Sequence, residues 1–271
     1  MMPVMTALRG ERRGYAGAPG CQVHYRTRGE GVPLLLLHQA LWSSIHYHKV
    51  ISPMAAAGFR VIAPDMPGHG MSSPLPGTPA VEDYAETVVR LMDVLCIDRA
   101  AVAGHHGGAL VAGRLAAAFP DRVIRAAFDT VPLFTAVERA SLLALPAATA
   151  VIKPDGSHFA ERWEGARRRA DPAWSDATVH MAVTGFFMNG PWREQAMRAA
   201  FAYDFEADVG RIECPVLAVF GRSDPLYPHR DRLAAMRPDF RQDSFPHGAA
   251  MILEHPDQWV AKMVPFLAGR T

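Results

Sequence analysis

The chain has 271 residues, 49% of them hydrophobic, enough for one large α/β core or a core with an inserted cap. Its 28 Lys and Arg against 27 Asp and Glu create no field that would draw nucleic acid or an anionic membrane, and neither is expected as a partner. Three scattered cysteines (Cys21, Cys96, Cys214) read as reduced thiols of a cytoplasmic protein; the N-terminus lacks the apolar run of a secretory signal, and no stretch of about 18 apolar residues would span a membrane.

In chain order, CQVHYRTR (21–28) alternates as a half-exposed strand does, and GEG breaks it. PLLLL (33–37) is a continuous apolar run, typical of a strand covered on both faces. Residues 43–57 are predicted to be a helix ending at Gly58, and FRVIAPD (59–65) a second buried strand, followed by a Gly/Pro-rich loop. VEDYAETVVRLMDVL (81–95) has helical apolar spacing. RAAVAG (99–104) reads as a strand, ALVAGRLAAAF (109–119) as a small-residue helix, and RVIRAAFDT (122–130) as a strand. Strands alternating with helices imply a mostly parallel central sheet with flanking helices. Residues 132–207 then carry no strand-like run; strands resume at CPVLAVFGRSD (214–224) and DFRQDSF (239–245), and QWVAKMVPFLAG closes with a helix. The expected organisation is a core of 1–131 and 208–271 with a helical cap at 132–207.

Four loop sequences, in this order, resemble those of the α/β-hydrolase superfamily over nearly the whole chain. LLLLHQALWSS (34–44) is similar to the oxyanion loop after the third strand, and APDMPGHGMSS (63–73) to the loop D-x-P-G-x-G-x-S. AGHHGGA (103–109) resembles the nucleophile elbow G-x-S-x-G, with Gly104 and Gly108 as its glycines, and FGRSDPLYP (220–228) the loop presenting the triad acid, here Asp224. The resemblance implies the α/β-hydrolase fold and a hydrolase.

The departures are chemical. His106 stands at the nucleophile position. In the last loop, FPHGAAMILEHPDQW, the place where the resemblance puts the catalytic Gly-His is Gly248-Ala249, and His247 comes two positions early. Gln39 follows His38 where Gly is usual, although a backbone N–H of Ala40 or Leu41 beside that of Gly107 would keep a two-donor anion pocket. A serine hydrolase needs a nucleophile and a base within hydrogen-bond reach. Here the imidazole has in effect moved from the last loop to the elbow. Asp224 would orient His106, leaving a His–Asp dyad that works as a general base or acid without an acyl-serine step.

Other residues carry competing readings. Asp129 ends its strand as a turn residue, or as the acid, a place some relatives use. His105 has a structural role in the elbow, His38 braces its loop and His69 shapes the loop it sits in. His247 is either a site group or a solvated loop residue. Trp163, Phe186 and Phe187, with Trp174 and Trp192, pack in the cap or line an apolar roof over His106. His46 and His48 do not share a helix face and make no metal pair. No metal-ligand spacing and no phosphate-binding glycine motif is present, so neither a metal nor a cofactor is expected. The substrate expected is small and largely apolar or aromatic, and a homodimer is compatible with the chain. The chemistry stays open between hydrolysis and lyase, isomerase, decarboxylation or cofactor-free oxygenation, with a ligand-binding pseudoenzyme as the alternative.

Overall fold

A computed structural model describes residues 10–18, 20–147, 152–190, 192–248 and 250–270. Ala249, and with it the expectation attached to that position, lies outside them.

Eight strands form one sheet: β1 Arg12–Ala18, β2 Cys21–Arg28, β3 Val32–Leu37, β4 Phe59–Pro64, β5 Ala100–His105, β6 Val123–Asp129, β7 Val216–Gly221 and β8 Arg241–Phe245. Their order is β1-β2-β4-β3-β5-β6-β7-β8. β1 and β2 pair antiparallel, as do β2 and β4, and every later pairing is parallel. Leu34 to Leu37 are wholly buried because β3 is central and both faces are covered. Alternation splits them. Leu35 and Leu37 join the core shared with Val102, Leu110 and Leu115, whereas Leu34 and Leu36 join that of Ile51, Trp259 and Met263.

The helices flanking the sheet are α1 Ile51–Ala56, α2 Val81–Val94, α3 Gly107–Ala118, α9 His229–Met236, α10 Ala250–Glu254 and α11 Pro256–Leu267. The predicted helix over 43–57 divides into a 3-10 turn at Ser44–Tyr47 and α1. Pro53 explains the break. Its ring cannot follow a helical carbonyl four residues earlier, so the helix starts at Ile51 and keeps the proline in its first turn. Strand β1, with its glycines and exposed polar residues, shows no core-facing pattern in sequence; it is an edge strand paired only to β2.

Between β6 and β7 lie α4 Ala136–Leu143, α5 Ser157–Arg169, α6 Asp176–Met188, α7 Trp192–Ala202 and α8 Phe205–Val209. α5 packs on α6, while α8 packs on α3. There Phe205 presses against Gly113, where an added Cβ would lie 2.4 Å from the ring. No helix among the described residues is long and apolar enough to cross a membrane.

Candidate active site

The carboxyl ends of β3, β5, β7 and β8 converge on a cavity of about 330 Å³, the expected location of a site in an open parallel sheet. Gln39, Leu41 and Trp42 come from the loop after β3, His106 from the turn after β5, Ser223, Asp224 and Pro225 from the loop after β7, and Gly248 from the loop after β8. The far wall is α5 with the segment leading to α6: Arg162, Ala166, Arg169, Ala170, Asp171, Pro172 and Trp174, plus Ala182 of α6. A larger groove of about 600 Å³ lies between residues 78–82 and α7, and neither His106 nor Asp224 lines it.

The turn from β5 into α3 is a strained elbow. His106 has φ 48° and ψ −116°, a conformation that costs a side-chain-bearing residue about 1–3 kcal/mol and persists only where surroundings impose it. They do so through close packing. A Cβ on Gly104 would lie 2.2 Å from the Gly108 carbonyl oxygen, and one on Gly108 would lie 2.0 Å from that of Leu37. The His106 N–H donates to Asp129 O at 3.0 Å, and its carbonyl accepts from Ala109 N at 2.8 Å.

His106 Nε2 lies 2.8 Å from Asp224 Oδ2. The other oxygen, Oδ1, accepts the Leu226 N–H at 2.9 Å. Burial raises the affinity of Asp224 for a proton, but the charge and hydrogen bond of His106, with the Leu226 N–H, outweigh it and hold the carboxyl below its ordinary range. An ionised carboxylate only accepts, so in the neutral ring the tautomer that fits this bond has its proton on Nε2 and its lone pair on Nδ1. The His106 side chain is 24% exposed, so the ring is open on one side.

Beneath it three more rings follow in contact. His105 lies parallel to His106 at 4.2 Å, His46 meets His105 edge-on at 5.3 Å, and Trp42 stacks on His46 at 4.9 Å. His105 Nδ1 is 3.3 Å from Asp129 Oδ1 without the alignment of a hydrogen bond. Asp129 is buried, accepts the Trp259 Nε1–H at 2.8 Å, and makes no bond to the His106 ring. It ends β6 as a buried brace beneath the elbow.

His38 braces two loops. Its Nε2 accepts the Met66 N–H and its Nδ1 donates to Gln39 O, each at 2.8 Å, and burial lowers its pKa. Leu41 has φ 79° inside a turn closed by Trp42 N donating to Gln39 O at 3.3 Å. That turn brings Ala40 N to 3.9 Å from where a Cβ on Gly107 would sit. The Gly107 N–H, in the first turn of α3, has no carbonyl partner within the helix.

Several expected side chains lie elsewhere. His247 is not in the cavity wall. Its Nδ1 is 3.4 Å from Asp171 Oδ1, and its ring stacks on His255 at 5.1 Å. Gly248 faces Asp224 instead, and a Cβ there would come within 2.8 Å of Oδ2. Trp163, Phe186, Phe187 and Trp192 do not line the cavity either; of the aromatic residues expected there, Trp174 does. Phe186 is buried between Arg162 and Arg193, each guanidinium carbon 3.6 Å from the ring centroid, and Phe187 packs on Phe159. Arg162, Ala166 and Arg169, at i, i+4 and i+7, form the cavity-facing stripe of α5, and on so polar a helix their spacing gives no signal in the sequence. Among the described residues, no group of three or more His, Cys, Asp or Glu could hold a metal ion.

The alpha/beta hydrolase fold family model matches residues 32–256. The chain belongs to this family. Over 273 aligned positions it is 28% identical to a non-heme chloroperoxidase of Streptomyces lividans, covering 88% of this chain and 93% of that protein. It is 26% identical to the 2-hydroxy-6-oxo-6-phenylhexa-2,4-dienoate hydrolase of Burkholderia cepacia, covering 93% of each. Among solved structures, the enol-lactonase of Burkholderia xenovorans LB400 superposes with a TM-score of 0.78 at 23% identity, covering 94% of this chain and all of the other. For this α/β-hydrolase the last likeness speaks to the fold alone.

Proposed function

We propose that this α/β-hydrolase is a general-base enzyme in which His106, oriented by Asp224, activates water for direct attack on a carbonyl carbon of a small, largely apolar substrate. The observation that carries the reading is the 2.8 Å His106–Asp224 bond at the strained summit of the elbow. Nδ1 takes the water proton as the new C–O bond forms. The carbonyl oxygen gathers negative charge toward the N–H groups of Gly107 and Ala40, aided by the positive end of α3. The imidazolium, paired with Asp224, then returns the proton to the leaving group as the C–O bond to it breaks. α5 and the segment leading to α6 act as a cap that excludes bulk water.

An acyl-serine route has little support. Ser223 is the serine that lines the cavity, and its hydroxyl donates to Asp171 rather than to an imidazole. The test is a screen of small esters and lactones, followed by a single turnover in ¹⁸O-labelled water. The reading expects label in the acid product, no protein-bound acyl group by intact mass, and loss of turnover in His106→Ala. A trapped acyl-enzyme would overturn it. So would exchange of a substrate C–H proton with no bond cleavage.

A further inference from the structure

The cavity wall opposite His106 is strongly biased in its hydrogen-bonding capacity. Arg162 and Arg169 both line it, and among the described residues neither makes an ion pair with a carboxylate. Two buried polar atoms on lining residues lack a hydrogen-bond partner, Arg162 Nε and Trp174 Nε1, and both are donors. The two acids of the cavity have their oxygens engaged. Asp224 holds His106 and the Leu226 N–H, and Asp171 holds Ser223, the Gly248 N–H and the nearby His247. The wall therefore carries two guanidinium groups with no carboxylate partner among the described residues, beside acids whose oxygens are already engaged, and an anion entering the cavity would supply the missing acceptor.

Arg162 is also held rigidly. Its guanidinium lies flat on Phe186, whose other face carries the buried Arg193. Burial, with the neighbouring charges of Arg169 and Arg193, lowers its pKa to about 10, so it stays a cation at neutral pH. A stacked, pre-oriented guanidinium suits planar, two-point recognition of an oxyanion. Trp42 and Trp174 meet edge to face at 6.0 Å and give the same cavity an apolar wall.

We propose that this cavity binds an organic carboxylate, its oxygens held by Arg162 and Arg169, its apolar body against Trp42 and Trp174, and its reacting atom facing His106. The proposal rests on the reading of His106 as the base, to which it adds the substrate class. A phosphate monoester is recognised by the same guanidinium fork, and the titration below separates the two.

The experiment is a calorimetric titration near neutral pH with three probes: 3-phenylpropanoate, 3-phenylpropanamide and 2-phenylethyl phosphate. The carboxylate is expected to bind about ten- to a hundredfold tighter than the amide, and tighter than the phosphate. That gap should collapse in Arg162→Gln and shrink in Arg169→Gln, whose exposed side chain is not part of the Phe186 stack. Trp174→Phe should remove the tryptophan fluorescence change that accompanies binding. Equal affinity for acid and amide, a gap unchanged in both arginine variants, or a preference for the phosphate would overturn the proposal. Each of these leaves the His106 reading intact. Conversely, a carboxylate preference kept by a protein whose turnover survives His106→Ala would sink that reading alone.

Discussion

Phe186→Leu tests how the cavity wall is held. The ring is 4% exposed, and both guanidinium carbons lie 3.6 Å from its centroid. Arg193 is itself only 2% exposed, with Nη1 bonded to Gly190 O at 2.6 Å. A desolvated cation–π contact is worth about 1–2 kcal/mol. Leucine keeps much of the apolar volume at a repacking cost under about 1.5 kcal/mol. Losing both contacts should therefore lower stability by about 2–4 kcal/mol. Urea denaturation of the wild type, Phe186→Leu, Arg162→Met and the double variant reads this as a cycle, with a coupling of about 1 kcal/mol expected between 162 and 186. A loss below about 0.5 kcal/mol in Phe186→Leu, or strict additivity, would show that the stack holds nothing in place.

Gly108→Ala drives a Cβ to 2.0 Å from the Leu37 carbonyl oxygen and should cost more than about 3 kcal/mol or prevent folding; a melting temperature near wild type would contradict the elbow geometry. Burial lowers the pKa values of His38, His46 and His69, that of His69 from 6.5 to about 3. Between those two values the unfolded chain binds more protons than the folded one, so stability is complete above pH 6.5 and falls on acidification, by up to about 1.4 kcal/mol per pH unit per histidine. Denaturation midpoints measured from neutral pH down to about pH 5 should show this slope, reduced in His69→Gln; a flat profile would refute it. Fluorophosphonate probes should leave the intact mass unchanged, and a stoichiometric serine adduct that stops turnover would identify a nucleophile this account lacks.

What could be read from the sequence follows from where one physical cause dominates. The run Leu34–Leu37 admits only a doubly covered strand, and Gly104 and Gly108 stand at the two positions of the turn where a Cβ does not fit, so sheet and elbow are both legible. The proximity of His106 and Asp224 follows from the order of the loops. Strand β1 was not legible because an exposed edge carries no periodic apolar signal. The cavity wall is not legible for a related reason. Large aromatic residues attract attention as pocket lining, yet Trp163 is one position, about 100° of helix, away from Arg162. It is Arg162, Ala166 and Arg169 that face the site. In a polar helix like α5 the inward stripe is set by packing against α6, which the residues alone do not encode. His247 lies beside Asp171, and the residue of that loop which faces Asp224 is Gly248.

The dyad works as a base only if Asp224 holds the neutral ring of His106 with its proton on Nε2 and its lone pair on Nδ1. Long-range ¹H–¹⁵N correlation of the histidine side chains, with His106 assigned through His106→Ala, reports this directly. The account predicts that the neutral ring of the wild type is protonated at Nε2. In Asp224→Asn the population should shift toward the Nδ1-protonated form, with turnover reduced by about 10²–10⁴. A neutral wild-type ring protonated at Nδ1, or a tautomer and rate indifferent to Asp224→Asn, would contradict it.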